Sequence, residues 1–362
     1  MATLDPGAIV GYGIIGTGLM GLEHIENVAG VQGATVVAIS DPDPGSRATA
    51  ARACPPDVAV FADHRHLLAH DAVDAVVVAS PNFTHVDVMA DVLASGRHVL
   101  VEKPLCTTVS DCQKLMAQAD GLPQVIHVGL EYRYMPPVAR LIEQVRKGVV
   151  GTPRMVAIRE HRFPFLPKVG DWNRFNANTG GTLVEKCCHF FDLMNLVLDE
   201  RPARVMASGG QDVNHLDEIF DGRRCDVLDN AFVIVDYPSG ARASLDLCMF
   251  ADATHNQEEL SVVGERGKLE ALIPEGVLRS GRRDEHTIGE VEIEVVATDH
   301  VAVTGLHHGS SYLEHVAFLE AIREGRPAPV TLDDGLWSVA MGVAGHRSID
   351  EGRPVELGEV LG

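Results

Sequence analysis

The chain has 362 residues, 46% of them hydrophobic, a length and composition that fit two globular domains of ordinary size. Its 30 basic and 51 acidic residues give a net charge of −21, which disfavours nucleic acid or an anionic membrane as a partner. No apolar run reaches the length of a membrane span, the N-terminal residues lack the pattern of a signal peptide, and seven scattered cysteines fit a reducing cytoplasm rather than a disulfide framework.

The first third of the chain alternates short β-branched runs with helical patterns. Six runs predict strands: AIVGYGIIG, TVVAIS, VAVF, AVVVAS, HVLVEKP and QVIHVGL. The segments between them, such as HVDVMADVLASG, carry apolar residues at helical spacing and end in glycine. Continuous apolar strands separated by helices predict an α/β domain with a doubly wound parallel sheet, which we place at residues 1–128.

The first predicted strand runs into GTGLMG, where Gly16, Gly18 and Gly21 fit the G-x-G-x-x-G pattern of a dinucleotide-binding turn. Gly16 permits a tight turn, Gly18 lets the backbone approach a pyrophosphate, and Gly21 lets the helix pack close to the strand. The N–H groups at the helix start then face the anion. An overlapping match that begins at Gly11 lies inside the strand, where such a turn cannot form.

The second predicted strand ends in Asp41, 20 residues after Gly21. A carboxylate at this place accepts hydrogen bonds from the adenosine ribose and repels a 2′-phosphate, so the sequence favours NAD over NADP. Arg47 is near enough in sequence to keep NADP open as the less favoured cofactor. The alternative to a cofactor site is a glycine-rich turn with a capping aspartate.

Two further loops follow later strands at the carboxyl edge of the sheet, where ligands bind in such folds. The loop ASPNFTH carries Asn82 and His85, and His85 is equally well explained as a helix cap or a surface residue. The loop VEKP places Lys103 after an apolar strand, facing the crevice. Burial there lowers the pKa of a lysine and makes it a usable proton carrier, whereas a solvated lysine at a strand end has no such role.

Residues 150 to 300 predict a different kind of sheet. Five strands are expected: RMVAIREHRF, ARVMASGG, NAFVIVDYP, ARASLDLCMF and EELSVVGE. The segments YPSGAR and GERGK are typical of hairpin turns. Because turns replace helices between these strands, the second sheet should be mostly antiparallel.

The segment GGTLVEKCCHFFDLMNLVL is too densely apolar for a surface helix and predicts one buried helix. Glu185 and His189, four residues apart, should share a face, with Asp192 three residues further on and Lys186 pointing elsewhere. A second interpretation of Glu185 is a capping box with Thr182. The remaining members of the cluster predict core side chains rather than a metal or redox site: Cys187, Cys188, Phe190 and Phe191.

The preceding loop, REHRFPFLPKVGDWNRFNANTGG, is rich in groups that hydrogen-bond polyols. Trp172 offers a flat apolar face for a sugar ring or a nicotinamide, although each residue of the loop, taken alone, also fits a solvated surface. The polar candidates are His161, Arg162, Lys168, Asp171, Asn173 and Arg174. The pair His307 and His308 has no matching ligand spacing, so we assign it to a loop or substrate pocket and predict no metal site.

Taken together, these pieces resemble the family of glucose–fructose oxidoreductase and inositol dehydrogenase, the Gfo/Idh/MocA family. The matching segments occur in the family's order over nearly the whole chain: GIIGTGLMG, SDP, SPNFTH, VEKPL, VGLEYRYMPP, GDWNRF, TGGTLVEKCCHFFDLM, VVGERGKLEA and DDGLWSVAMGVAGHRSIDEGRPVEL. The resemblance implies a Rossmann domain, a second domain whose open, mostly antiparallel sheet commonly forms subunit interfaces, a nicotinamide cofactor, and hydride transfer at a carbinol carbon.

The resemblance also implies roles for particular residues. The Glu-Lys-Pro lysine is Lys103, and the family's Asp-x-Gly-x-His segment has Glu185 at the Asp position, Cys187 at the Gly position and His189 kept. This departure supports Lys103 and His189 better than Glu185. Family members often have a Trp-Arg pair near the cofactor, but here Asn173 separates the two residues.

We therefore expect a dehydrogenase that oxidises a secondary alcohol of a cyclitol or sugar, forms a homo-oligomer, and divides into residues 1–128, an α+β domain at 129–332, and a C-terminal helix and tail at 333–362 that packs on the first domain. A redox-neutral glycosidase, a glycoside oxidase and a non-catalytic dinucleotide-binding regulator stay open as alternatives. The expected cofactor contacts are Gly16, Gly18, Leu19, Met20, Gly21, Asp41, Ser80, Asn82, His85, Glu102, Lys103 and Trp172. The expected substrate contacts are Lys103, Asp171, Trp172, Arg174, Glu185 and His189.

Overall fold

The computed structural model describes residues 7–283 and 288–362. Two compact units divide the chain. The first unit takes the chain up to Glu131, together with Lys168–Trp172 and Val301–Val339. The second unit takes Tyr132–Pro167, Asn173–His300 and Ala340–Gly362.

The first unit contains a six-stranded sheet. Its strands are β1 Val10–Ile15, β2 Ala34–Ser40, β3 Ala59–Phe61, β4 Ala75–Val78, β5 His98–Glu102 and β6 Ile126–Gly129. All neighbours are parallel, in the order β3-β2-β1-β4-β5-β6. This order confirms the doubly wound sheet, and it reverses between β1 and β4, the point at which ligands bind in this architecture.

Five helices connect these strands: α1 Leu19–Gly30, α2 Pro44–Ala53, α3 His64–Leu68, α4 His85–Ser95 and α5 Val109–Ala119. Local sequence sets their ends. Asp43 accepts the Ser46 N–H at the start of α2, and Thr108 accepts the Asp111 N–H at the start of α5. Gly96 adopts a left-handed conformation and ends α4.

The second unit contains a nine-stranded sheet. Its order is β16-β15-β14-β13-β7-β12-β11-β8-β17, and only β7 and β12 pair in parallel within this sheet. The strands of the unit are β7 Pro153–His161, β8 Arg204–Gly210, β9 Ile219–Phe220, β10 Arg223–Arg224, β11 Asn230–Asp236, β12 Arg242–Cys248, β13 Glu258–Gly264, β14 Gly267–Ile273, β15 Val277–Arg282, β16 Glu292–Val295 and β17 Val355–Glu356. The two short strands β9 and β10 form a hairpin of their own. The prediction of a mostly antiparallel second sheet is therefore confirmed.

Four helices of this unit come before β8: α6 Pro136–Arg146, which precedes β7, and α7 Asn176–Thr179, α8 Thr182–Glu185 and α9 Cys188–Leu198, which lie between β7 and β8. The one buried helix expected over residues 182–198 is thus wrong, because two helices occupy this segment. The Lys186 and Cys187 amides both point to the Thr182 carbonyl, at 2.9 and 3.4 Å, which inserts an extra residue into the turn. A new helix then starts from the Cys187 carbonyl.

The C-terminal segment contributes to both units. It forms α10 Ser310–Glu324, α11 Leu332–Glu351 and α12 Gly358–Leu361. The sequence assigns residues up to 332 to the second domain, whereas residues 301–332 belong to the first unit, where α10 packs Phe318 and Leu319 into the core around Tyr12 and Val28. The sequence predicts that residues 333–362 pack on the first domain, and the first unit does extend to Val339, but from Ala340 onward the chain belongs to the second unit. There β17 pairs with β8, and Ser348 Oγ accepts the Ala207 N–H of the second sheet.

Candidate functional site

The glycine turn of the first unit has the geometry that its sequence predicts. Gly16 has φ 88°, and a Cβ there would meet the Ala79 backbone at 2.6 Å. A Cβ on Gly21 would meet the Gly16 carbonyl oxygen at 2.1 Å, so α1 packs directly on the turn. A Cβ on Gly18 would meet nothing within 4 Å beyond its own chain neighbours, and no side chain caps α1. The start of α1 is therefore free to approach a phosphate group.

Asp41 lies beside this turn, directly after β2. Its carboxylate accepts the Thr17 N–H at 2.7 Å and the Asp43 N–H at 2.8 Å. Arg47 donates to the carbonyl oxygens of Asp41 and Pro42, at 2.5 and 2.9 Å. A carboxylate has about four acceptor positions, so Asp41 keeps capacity for ribose hydroxyls after both backbone bonds are made.

The loop after β4 holds Ser80, Asn82 and His85, and the structure gives His85 a supporting role. Its Nδ1 lies 2.8 Å from the Pro104 carbonyl oxygen and its Nε2 lies 3.0 Å from the Ser80 carbonyl oxygen. Burial lowers the pKa of His85, although these carbonyl contacts oppose the shift. His85 therefore ties the loop after β4 to the loop that carries Lys103.

Lys103 directly follows β5 and is half-buried. Glu102, the last residue of β5, accepts the Lys103 N–H through Oε2 at 3.0 Å and contacts His24 Nε2 through Oε1 at 2.9 Å. The two residues of the Glu-Lys-Pro segment thus have different environments. Glu102 is buried within a hydrogen-bonded network, whereas Lys103 stands at the carboxyl edge of the sheet.

Trp172 also belongs to the first unit. Its ring packs edge-on against Phe83, with centroids 6.2 Å apart, and the Lys168 ammonium lies 4.9 Å from its centroid. Asp171 and Gly170 both adopt left-handed conformations, with φ 51° and 70°. Left-handed backbone at a non-glycine residue is strained and is enriched at functional sites, which is consistent with the role predicted for this loop.

The other polar residues of that loop lie in the second unit and have protein partners. Arg174 is 4% exposed, and it donates to Glu218 Oε2 at 3.0 Å and to the Phe165 carbonyl at 3.3 Å. His161 Nε2 lies 3.1 Å from Asp246 Oδ1. These contacts favour a structural role for Arg174 over the substrate contact that we predicted.

Glu185 and His189 lie on either side of the break between α8 and α9, and both are buried. The capping-box interpretation of Glu185 is wrong. Gly181, not Thr182, precedes α8, and the Thr182 hydroxyl donates to the Leu228 carbonyl at 2.7 Å. His189 is instead held by a stacked ring: its centroid lies 4.0 Å from that of Tyr132, with an interplanar angle of 8°.

A buried charged cluster surrounds Tyr132, and sequence reasoning missed it. Lys186 Nζ lies 2.8 Å from Glu160 Oε1 and donates to the Tyr132 hydroxyl at 2.5 Å. The Tyr132 hydroxyl donates to Glu258 Oε1 at 3.4 Å, and Arg162 Nη1 lies 3.4 Å from Glu160. Burial lowers the pKa of Lys186, while burial and then the charge of Glu160 raise the pKa of Glu258 to about 7. Lys186 thus points away from Glu185, as expected, but into the interior.

The cysteine-rich part of the segment is core. Cys187, Cys188, Phe190 and Phe191 are all 0% exposed, and none of the seven cysteines, all of which lie in the described residues, forms a disulfide. Within residues 7–283 and 288–362, no group of three or more His, Cys, Asp or Glu side chains is arranged to hold a metal ion. In the same part of the chain, no helix has both the length and the apolar character needed to cross a membrane.

Comparisons with known proteins cover almost the entire chain. Residues 10–130 match "Oxidoreductase family, NAD-binding Rossmann fold", and residues 142–357 match "Oxidoreductase family, C-terminal alpha/beta domain". The chain is 28% identical to a myo-inositol 2-dehydrogenase of Thermotoga maritima, over 97% of this chain and 99% of that protein. It is 27% identical to inositol 2-dehydrogenase 1 of Saccharopolyspora erythraea, over 96% of both.

Solved structures show the same fold. A levoglucosan dehydrogenase in complex with NADH and levoglucosan superposes with a TM-score of 0.84 at 19% identity, over 96% of this chain and 99% of that one. With two matched segments that follow one another along the chain and relatives that match it from end to end, the chain belongs to the Gfo/Idh/MocA family of oxidoreductases.

Proposed function

We propose that the protein is an NAD-dependent dehydrogenase that oxidises a secondary alcohol on a cyclitol or sugar ring. The observation that carries the proposal is the position of Lys103, half-buried directly after β5 in the sheet whose strand β1 runs into the glycine turn. The activities named for the relatives, inositol 2-dehydrogenases over nearly their full length, support a ring polyol as the substrate class.

The glycine turn fits a dinucleotide. Gly18 and the uncapped start of α1 would hold the pyrophosphate, and Asp41 would hold the adenosine ribose. A nicotinamide held there would supply the hydride acceptor for oxidation at the carbinol carbon. The predicted contacts of Ser80, Asn82 and Trp172 with the cofactor stay part of this proposal.

Oxidation of the alcohol must also remove the proton of its hydroxyl group, and a positioned base lowers the barrier to this proton transfer. We assign this task to Lys103 Nζ, while the His189 imidazole orients the hydroxyl or shares the proton. The stacking of His189 on Tyr132 fixes the plane of the imidazole, which a group that orients a hydroxyl requires. Glu185 is the third candidate for a catalytic residue; it is buried at the end of α8, and His189 lies in the next helix, α9.

The test is reduction of NAD or NADP by a panel of inositols, aldoses, anhydrosugars and glycosides, followed by nicotinamide absorbance. Turnover with one ring polyol would support the dehydrogenase and identify its substrate. Cleavage of a glycoside without net NADH would replace it with the redox-neutral glycosidase. Tight binding of dinucleotide without any turnover would replace it with the regulator.

We predict that Asp41→Asn shifts the cofactor preference toward NADP. Asparagine keeps an acceptor for the Thr17 N–H but removes the charge that repels a 2′-phosphate. A charge-assisted contact is worth about 1.5–3 kcal/mol, so the ratio of NAD to NADP dissociation constants should move by roughly 10- to 100-fold. Asp43→Asn, at the α2 cap two residues away, is the matched control. An unchanged ratio in Asp41→Asn would remove Asp41 from the ribose site.

We further propose that the protein is a homo-oligomer that buries the exposed face of the nine-stranded sheet. Met206, Phe232 and Ile234 are 50–66% exposed there, and Ile234 lies directly opposite Met206. The double variant Phe232→Ser/Ile234→Ser should dissociate at micromolar concentration, as measured by light scattering. Ile219→Ser, equally exposed on β9, should not. A monomeric wild-type protein would refute the proposal.

A further inference from the structure

Three buried ionisable side chains, Glu102, His24 and His315, are hydrogen-bonded in series next to the Lys103 backbone. Glu102 contacts the Lys103 N–H with one carboxylate oxygen and His24 Nε2 with the other, at 3.0 and 2.9 Å. His24 Nδ1 in turn lies 2.9 Å from Nε2 of His315, on α10. Glu102 is 5% exposed and both histidines are at most 1% exposed, so each of these contacts is shielded from water. All three of these side chains lie within the first unit.

The charges of the three groups fit this order. Burial alone would raise the pKa of Glu102, but the hydrogen bond and charge of His24 lower it to about 2. Burial opposes protonation of His24, yet the same contact with Glu102 raises its pKa above the ordinary value. Burial, with the charge of His24 second, lowers the pKa of His315 far below its ordinary value. A protonated His24 then donates both ring N–H groups, one to the Glu102 carboxylate and one to a neutral His315.

We infer that His24 is a positioning residue for Lys103, an inference that rests on the function proposed above. Because a carboxylate at the end of a strand can rotate, the second contact from His24 fixes the oxygen that accepts the Lys103 N–H. His24 lies on α1, the helix whose first residues follow the glycine turn. The same helix would therefore contact the pyrophosphate through its N-terminus and hold the Lys103 backbone through His24. This would fix the position of the lysine relative to the cofactor.

The first readout is hydrogen exchange of the Lys103 amide. The chain has six lysines, so labelling with [15N]lysine gives a spectrum of few signals, in which Lys103→Arg assigns the Lys103 signal. His24→Leu should accelerate exchange of this amide by at least ~10-fold, because local opening becomes easier without the second contact. His127→Leu removes another buried histidine that contacts a glutamate, Glu314 at 3.3 Å, and should leave the Lys103 amide unchanged.

The second readout is the split between kcat and KM. His24→Leu should lower kcat about 10- to 100-fold with the KM for NAD within about threefold, because a displaced base costs rate rather than binding. His24→Gln keeps an N–H donor for Glu102 and should recover most of kcat. Equal loss of thermal stability in His24→Leu and His127→Leu, with the Lys103 amide unchanged in both, would overturn the inference.

These readouts separate the inference from the proposed function. A wild-type protein that reduces neither NAD nor NADP with any polyol refutes the dehydrogenase. The exchange experiment still decides in that case whether His24 holds the Lys103 backbone. Turnover by the wild type together with an unchanged kcat in His24→Leu refutes the positioning role alone.

Discussion

Replacing Lys103 with alanine should lower kcat by about 10²- to 10⁴-fold, the range that a positioned proton-transfer group contributes. Dinucleotide affinity should change little, because the glycine turn and Asp41, which would hold the cofactor, lie on other loops of the sheet. The measurement is the steady-state rate at saturating polyol and NAD, with the NAD dissociation constant determined separately.

Two further variants separate proton transfer from charge and from general damage. Lys103→Arg keeps a cation, but a guanidinium does not release its proton in a protein, so this variant should be as slow as alanine. Lys114→Ala alters an exposed lysine on α5, paired with Asp111 at 2.7 Å, and should retain wild-type turnover. Near-normal turnover in Lys103→Ala would end the assignment of Lys103 as the base.

The parts of the fold that the sequence predicted are those with a local signal. The central strands β1, β4 and β5 of the first sheet are largely apolar runs whose residues are almost all buried, and the glycine turn has a fixed spacing. The strand β16, Glu292–Val295, does carry the alternating Glu-Ile-Glu-Val pattern of a strand, which sequence reasoning did not use, although all four of its residues are exposed. The strand β17 has only two residues, Val355–Glu356, too few to show any period.

The features that sequence reasoning missed depend on residues that are far apart in the chain. Residues 182–198 are almost all buried, polar side chains included, so no change of periodicity marks the break between α8 and α9. From sequence alone Lys186 resembles an ordinary solvated lysine, because its charged neighbours, Glu160 on β7 and Glu258 on β13, are distant in the chain. His24 likewise could not be predicted as a positioning residue, because its partner Glu102 lies 78 residues later in the chain.

Because Lys186 is buried and paired, its replacement should destabilise the second unit strongly. Lys186→Met removes the ammonium 2.8 Å from Glu160, which is itself 0% exposed. Removing one partner of a buried ion pair costs about 3–5 kcal/mol, because the other charge remains in the interior. We expect the lower end of this range, since Arg162 Nη1 still lies 3.4 Å from the Glu160 carboxylate.

The matched control is Lys268→Met, the same substitution in a surface pair. Lys268 lies 2.6 Å from Glu270, and its side chain is 48% exposed. Exposed pairs contribute about 0–1 kcal/mol, so the urea midpoint of this variant should stay close to that of the wild type. Equal midpoints for Lys186→Met and Lys268→Met would show that the buried cluster does not stabilise the fold.

The loss in Lys186→Met should also depend on pH, with a definite sign. Lys186 is one of the charges that hold down the pKa of Glu258, which burial already raises to about 7, so without the ammonium the folded-state pKa of Glu258 should rise further. A carboxyl group with a raised pKa binds more protons in the folded than in the unfolded state. Its contribution to the free energy of unfolding is therefore present below the unfolded-state pKa, near 4.5, and is lost as the pH rises through the folded-state pKa. The destabilisation should therefore be larger at pH 8 than at pH 5, whereas a pH-independent loss would indicate that Lys186 acts through packing rather than charge.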